Sequence, residues 1–193
     1  DSIMELGRAA APGDLGPFPA EAINFDGDPI YSNYATLAAW WKARQASGEP
    51  RAALYYNSLS LHDGAHRVGD EGWWKRPRVD KYREFAQTLF SDLDRFFALV
   101  RSSGRDALVV FVPEHGSAIA GSRVQAKGLR DIPLPSITTV PVGVRFLSAG
   151  AAPTAPRRLE APVSYLALSQ LIAKFYNGNL EQAFALIDIA VGA

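Results

Sequence analysis

The chain has 193 residues, of which 48% are hydrophobic and 11% aromatic, enough to bury a full core as one domain. Its 20 basic residues balance 20 acidic ones, so no long-range field attracts nucleic acid or an anionic membrane surface, and we expect no nucleic-acid partner. The sequence contains no cysteine and no apolar run of about 18 residues, which excludes disulfides, thiolate ligands and a membrane helix within it.

The first half of the sequence predicts a lead-in, a helix, a strand and a loop. Residues 1–30 hold many Gly, Pro and Ala and predict an extended lead-in. Ser32 or Asn33 is a candidate N-cap for a helix that ends near Ser47. The apolar run at residues 52–59 predicts a buried strand. The glycine-rich segment after it predicts a long loop that has a function or covers part of the protein.

The second half predicts a strand on either side of a second loop. Residues 80–102 carry apolar side chains at three- and four-residue steps, which predicts a helix that packs one face on a sheet. Strands are predicted at residues 107–111 and 139–147, and a last pair of helices at residues 165–175 and 180–191. This alternation predicts an α/β fold, a layered mixed sheet flanked by helices, with residues 1–193 forming a single domain.

A carboxylate and an imidazole lie side by side where the strand at residues 107–111 ends. Neighbouring side chains of a strand point to opposite faces, so Glu114 and His115 can serve one ion only where the strand has stopped. Pro113 cannot donate to the sheet, and Gly116 lets the backbone turn away. A carboxylate oxygen and an imidazole nitrogen suit zinc or a similar divalent cation, although a solvated loop pair produces the same dipeptide.

A second candidate ligand, His62, follows the predicted strand at residues 52–59. If this strand and the one at residues 107–111 are neighbours, a right-handed crossover through the long helix brings both carboxyl ends to one edge of the sheet. His62 then faces the Glu-His pair. The alternative is a loop histidine whose ring is bonded to a backbone carbonyl.

Two further groups have both a functional and a plain interpretation. Three cations lie within residues 123–130, and they indicate either a phosphate-binding loop or a solvated face. Flat indole rings suit the faces of glucose rings. Trp41 falls on the apolar stripe of its helix, so we expect it in the core. Trp73 and Trp74, in the glycine-rich loop after His62, are candidates for binding a sugar acceptor.

Four stretches together carry a family resemblance. They are His62-Asp63-Gly64, Pro113-Glu114-His115-Gly116, Gly128-Leu129-Arg130 and the proline-punctuated segment 132–138. In sequence and spacing they resemble the catalytic domain of bacterial cellulose phosphoethanolamine transferases, which belong to the alkaline phosphatase superfamily. The resemblance runs from about residue 25 to residue 173, and it implies an alkaline-phosphatase-like fold of which this chain is the C-terminal portion.

The resemblance also implies a role for each matched residue. Glu114 and His115 match zinc ligands, so Zn²⁺ is the implied cofactor. His62 matches a histidine that contacts the metal or the phosphoryl group, and Arg130 matches an active-site arginine. The implied reaction takes phosphoethanolamine from phosphatidylethanolamine onto a serine or threonine and then passes it to O6 of a cellulose glucose. Cellulose synthase complex subunits are the implied partners, at the periplasmic face of the bacterial inner membrane.

The sequence departs from this family in one respect. The family's nucleophile and a further zinc ligand come from a segment upstream of everything matched here, as does the region that associates with the membrane. We therefore expect this chain alone to be inactive. Two other interpretations stay open at this point, namely a phosphatase- or sulfatase-type hydrolase of the same superfamily and a non-catalytic module that docks on the cellulose synthase complex.

Overall fold

The structure is a computed structural model that describes residues 17–148, 158 and 160–178. The chain divides into two compact units. The first consists of Asp1–Pro50 and Tyr55–Leu99, and the second of Arg51–Leu54 and Val100–Ala193.

A small antiparallel sheet opens the first unit. The strand β1 (Ala22–Ile23) lies at its centre, between β2 (Pro29–Ile30) and β3 (His66–Arg67). The first two strands fall within the predicted lead-in, so part of that segment forms a hairpin. Its residues 1–16 lie outside the described residues.

Two helices follow, and they meet at Trp41 and Phe96, edge to face with 6.3 Å between ring centroids. The helix α1 (Asn33–Ala46) begins after Ser32, whose hydroxyl accepts a hydrogen bond from the backbone N–H of Ala35 at 3.3 Å. The long helix α2 (Arg78–Ser102) follows a short 3₁₀ turn (Trp73–Lys75). Both predicted helices are confirmed. The core that the sheet shares with α2 consists of Ala22, Ile30, Ala65 and Phe85, with Leu59 and Leu61 packed against it.

The predicted strand at residues 52–59 is wrong, because no residue in this segment pairs with a strand. Its side chains are less buried than the apolar run suggests, since Tyr55 is 90% exposed and Leu54 40% exposed. Further along, Ser58 makes a side-chain hydrogen bond to Asn33 at the start of α1. The segment is thus held by side chains, and the crossover that was to bring two parallel strand ends together is not formed.

A two-stranded antiparallel ribbon organises the second unit. The strand β4 (Ala107–Phe111) pairs with β5 (Gly143–Leu147) along its whole length. The strand predicted at residues 107–111 is confirmed, whereas the one predicted at residues 139–147 begins only at residue 143. The pairing is antiparallel, and the long loop between the two strands contains one helical turn, α3 (Pro135–Thr138).

The second unit also contains α4 (Tyr165–Tyr176), the first of the two helices predicted at the end of the chain. Phe175 on this helix meets Phe146 of β5 edge to face at 6.0 Å between ring centroids. The helix predicted at residues 180–191 lies outside the described residues. Among the described helices, none is long and apolar enough to cross a membrane.

Candidate functional site

His115 lies just past the end of β4, and its ring is fixed by its own backbone. The ring Nδ1 lies 2.7 Å from the carbonyl oxygen of Gly116. A carbonyl oxygen only accepts hydrogen bonds, so Nδ1 carries the proton and donates it. The lone pair of the neutral ring is therefore at Nε2, as in the common arrangement of metal-binding histidines whose other nitrogen is held by a backbone carbonyl.

Arg130 lies against this ring. A guanidinium nitrogen of Arg130 contacts Nε2 of His115, 15 positions earlier in the chain. Because a guanidinium has no acceptor, it must donate to the Nε2 lone pair. The structure thus brings together two of the residues that the sequence analysis placed in one site. Within the described part of the chain Arg130 has no carboxylate partner, although Asp131 is next to it.

Gly116 explains why the chain passes so tightly after His115. Its N–H donates to the carbonyl oxygen of Ile137 at 2.8 Å. A Cβ added at Gly116 would lie 1.9 Å from the carbonyl oxygen of Ser136, far inside any permitted contact. Only glycine fits, so the motif after β4 is held directly on the backbone of α3.

A single buried side chain shapes the loop that carries Arg130. Gln125 is 4% exposed, and its side-chain amide donates to the carbonyl oxygen of Leu129 at 2.7 Å. Its side-chain oxygen accepts from the N–H of Ile132 at 2.9 Å. These two bonds flank Arg130 on either side and fix the turn that carries it. Sequence reasoning missed this residue, whose only sequence signal is an uncharged polar side chain between exposed basic ones.

Glu114 is exposed, and its carboxylate makes no hydrogen bond or ion pair with the described residues. The Glu114 carboxylate is therefore available to bind a ligand beside His115. In the part of the chain that the structure describes, no three His, Asp or Glu side chains come close enough to hold a metal ion. The zinc assignment of Glu114 and His115 stays a prediction.

His62 lies in the first unit, on a tight turn in which its N–H donates to the carbonyl oxygen of Leu59 at 3.0 Å. Its ring Nδ1 lies 3.2 Å from the carbonyl oxygen of Asp63. Asp63 in turn forms an ion pair with Arg78 at the start of α2, at 2.8 Å. The bonding of the ring to a backbone carbonyl is what the plain interpretation of His62 foresaw. Its convergence with the Glu-His pair stays a prediction.

A buried cluster of polar side chains anchors the segment that leads to His62. The Asn33 amide donates to the hydroxyl of Ser60 at 2.8 Å, and its carbonyl accepts from Ser58 at 2.8 Å and from Tyr56 at 2.9 Å. Burial, followed by the nearby charge of Asp92, raises the pKa of Tyr56 to about 12, so its hydroxyl stays protonated and donates. Sequence reasoning used Asn33 only as a possible helix cap and missed this role.

The two tryptophans of the loop after His62 differ in exposure. Trp73 stacks on His66 with 4.5 Å between ring centroids and 13° between planes, and Lys81 Nζ lies 4.5 Å from its centroid. Trp74 is 66% exposed, with Lys75 Nζ at 5.1 Å. Trp73 is therefore engaged within the protein, whereas most of Trp74 is open to solvent. Their assignment to a sugar acceptor stays a prediction.

An ion-pair network ties β3 to α2 beside these tryptophans. Glu84 accepts from Arg76 at 2.8 Å and from Arg67 at 3.2 Å, and Arg76 also reaches Asp70 at 2.7 Å. The hydrogen bond from Arg76 is the main reason why the pKa of Glu84 is lowered. The same bond raises the pKa of Arg76. The loop between β3 and α2 is thus closed by charge as well as by packing.

The small antiparallel sheets and the helices define a mixed α/β protein, consistent with the C-terminal portion of an alkaline-phosphatase-like domain. Residues 7–189 match the family model of the cellulose biosynthesis protein BcsG C-terminal domain, and the chain belongs to this family.

Two curated relatives share the family. Cellulose biosynthesis protein BcsG of Escherichia coli K12 is 42% identical to this chain over 168 residues, which cover 86% of the chain and 29% of the relative. Cellulose biosynthesis protein BcsG of Salmonella typhimurium LT2 is 43% identical over 159 residues, which cover 82% of the chain and 27% of the relative. The chain thus spans less than a third of the length of these relatives.

Proposed function

We propose that this chain is the C-terminal part of a zinc-dependent transferase of cellulose biosynthesis. The reaction moves phosphoethanolamine from phosphatidylethanolamine to O6 of a cellulose glucose, by way of a serine or threonine upstream of this chain. Family membership supports the pathway. The observation that carries the chemistry is the contact between Arg130 and the Nε2 lone pair of His115.

The residues of the second unit fit a zinc ion in their donor chemistry. His115 has an oriented Nε2 lone pair, because Nδ1 is held by the Gly116 carbonyl, and zinc would take the place of the Arg130 donor that contacts Nε2 in this structure. Glu114 offers an exposed, uncommitted carboxylate. Catalytic zinc commonly has three protein ligands, so the remaining ligand comes from outside the described residues. When bound, zinc lowers the pKa of the nucleophile's hydroxyl and neutralises phosphoryl oxygens.

The chain's own residues orient and neutralise the transferred group. Arg130 presents a planar fork of N–H donors that holds two phosphoryl oxygens at once. The Gln125 side chain fixes the backbone turn that carries Arg130, so the backbone needs no reordering when the phosphoryl group binds. His62, in the first unit, carries a proton to or from an alcohol oxygen or bonds a phosphoryl oxygen. Trp73 and Trp74 contribute to binding the sugar acceptor.

The proposal places the full-length protein at the periplasmic face of the bacterial inner membrane, with cellulose synthase complex subunits as partners. Its test uses the full-length protein that contains this chain, a phosphatidylethanolamine analogue and a cello-oligosaccharide, with mass spectrometry of the products. We expect the oligosaccharide to gain the mass of phosphoethanolamine. Release of the headgroup to water alone indicates a hydrolase, and an unchanged donor indicates a docking module; either result would overturn the proposal.

Arg130→Lys is the sharpest variant for this assay. Lysine keeps the charge but loses the fork, so we expect turnover to fall about 10²- to 10³-fold, or roughly 3 to 4 kcal/mol. The melting temperature should stay near that of the wild type, because Arg130 is exposed. Arg123→Lys is the matched control, since Arg123 is exposed in the same loop and should tolerate the change. A large fall in melting temperature with near-normal turnover would make Arg130 a structural residue.

A further inference from the structure

The ribbon formed by β1 and β3 has one face packed on α2 and a second, half-buried face. Ala22 lies opposite Arg67 in this antiparallel pair, and Ile23 lies opposite His66. Ala22 is 1% exposed, and the Arg67 guanidinium lies 5.0 Å from the ring centroid of Phe85 on α2. Because side chains alternate along a strand, Ile23 and His66 point to the other face.

Phe25 continues this outer face beyond the end of the paired residues. It lies opposite Gly64, in the same register, and a Cβ at Gly64 would be 2.8 Å from the Cβ of Phe25. Gly64 also has a φ of 77°, a left-handed conformation that favours glycine. Both the close contact with Phe25 and the backbone conformation therefore require glycine here. Phe25 is 77% exposed. Its neighbour Gly64 is two residues after His62 in the chain.

The hairpin tip that carries Phe25 is held firmly in place. Asn24 is 4% exposed, and its side chain accepts from the N–H of Asp28 at 2.8 Å and donates to the Asp28 carboxylate at 3.1 Å. The backbone N–H of Asn24 also donates to the Asp28 carbonyl, at 3.0 Å. An exposed phenylalanine thus sits on a turn fixed by three hydrogen bonds, which holds the base of its side chain in place.

A surface groove of about 200 Å³ extends the same face away from Phe25. It begins at Ile23 and is lined by the stacked rings of His66 and Trp73 and by the carboxylates of Asp70 and Glu71. Asp70 is paired with an arginine, but the Glu71 carboxylate has no partner among the described residues. The groove therefore puts an available hydrogen-bond acceptor on this face, and the aromatic side chain of the face that is most open to solvent is Phe25, which is 77% exposed.

We propose that this face, from Phe25 along Ile23 to the groove at Trp73, binds the acceptor glucan chain. One glucose ring lies on the ring of Phe25, next to the turn that carries His62, and the following rings run along the groove with hydroxyls donating to Glu71. The identity of the occupant rests on the proposed function, which makes cellulose the acceptor. The location rests on the structure of the first unit alone.

The chemistry of the face favours a neutral sugar polymer over a lipid. A glucose ring has flat C–H faces that suit an aromatic ring and hydroxyl edges that need polar partners. The groove alternates aromatic and charged side chains, and its Arg67 and Asp70 are already paired with protein groups. An acyl chain would leave the Glu71 carboxylate desolvated without a partner, which costs free energy.

The test measures binding of cellohexaose to the full-length protein by calorimetry, without donor lipid. We expect Phe25→Ala to raise Kd about tenfold and Glu71→Gln to raise it about threefold, with melting temperatures unchanged because both side chains are exposed. Tyr55→Ala is the control, an exposed aromatic of the same unit that lies outside the groove, and its Kd should match that of the wild type.

Two outcomes would overturn the inference. The first is cellohexaose binding that Phe25→Ala leaves unchanged, or that the wild type lacks. The second is loss of binding to phosphatidylethanolamine vesicles in Phe25→Ala with unchanged cellohexaose binding, which would assign the face to the donor. The transfer assay tests the proposed function independently of cellohexaose binding. A protein that binds cellohexaose through Phe25 but transfers nothing supports this inference and refutes the proposed function.

Discussion

The turn that carries His62 and the loop that carries Arg130 are both irregular, yet they are held in different ways. In the first unit, the segment before His62 is fixed by hydroxyl groups that converge on the buried amide of Asn33. In the second unit, the motif after β4 is fixed by the backbone of Gly116 against the backbone at Ser136. Side-chain anchoring tolerates small shifts, whereas backbone contact demands the absence of a side chain, so the two regions should respond differently to substitution.

Gly116→Ala should break the backbone-held region and is the largest effect expected. The added methyl would overlap the carbonyl oxygen of Ser136, so the loop must move and lose its bond to Ile137. We expect a loss of about 3 kcal/mol in the free energy of unfolding, measured by urea titration. Gly143→Ala is the control, because its Cβ would meet Phe111 at an ordinary 3.7 Å. Equal losses in both variants would contradict the close-contact argument.

Asn33→Ala should loosen the side-chain-held region by a smaller amount. It removes the acceptor of the Tyr56 hydroxyl and the amide donor to Ser60, which keeps only its bond from Ser58, and a buried polar group left unpaired costs roughly 1 to 3 kcal/mol. We expect a loss of about 2 kcal/mol by urea titration. Asn57→Ala, at an exposed position three residues before the buried Ser60, should change stability by less than about 0.5 kcal/mol. A wild-type midpoint for Asn33→Ala would show that water replaces the amide without cost.

The ion pairs of Glu84 should give the smallest effect, visible only in acid. Its pKa is lowered in the folded chain, chiefly by the bond from Arg76, so the ionised form stabilises the fold. This stabilisation is complete above the unfolded-state pKa, near 4.3, and is lost as pH falls through the lower folded value. Urea midpoints measured from pH 6 to pH 3 should fall less steeply for Glu84→Gln than for the wild type. Parallel curves would mean that solvent screening cancels the pair.

Much of the helical structure could be predicted because its signals are local. The cap at Ser32 and the apolar period of residues 80–102 act within a few turns, and α1 and α2 follow them closely. The strand at residues 52–59 failed because an apolar run indicates extended backbone but does not supply a partner. Its partner turned out to be the amide of Asn33, which is a tertiary contact that no spacing in the sequence encodes.

The sequence indicated which residues belong to the candidate site, but not the contacts that they make. Glycine and proline around Glu114 and His115 marked the end of a strand, and the structure ends β4 there. The turn that carries Arg130 to its contact with His115 is bonded by Gln125, whose buried amide resembles any loop glutamine in the sequence. Phe25 was overlooked because a single aromatic residue between Asn24 and an Asp-Gly-Asp stretch shows no periodicity, although the Asn24 to Asp28 spacing does indicate a turn.

All three histidines of the chain share one tautomer. In His62, His66 and His115 the ring Nδ1 lies within 3.2 Å of a backbone carbonyl oxygen, which selects the Nδ1–H form. The side chain of free histidine in water favours the opposite form, Nε2–H, so the fold imposes its preference at three separate places. Each ring then keeps a basic nitrogen at its far end, where it extends furthest from the backbone. Nitrogen-15 spectra of the protein with its histidine rings neutral should consequently show three Nδ1-protonated rings and no Nε2-protonated ring.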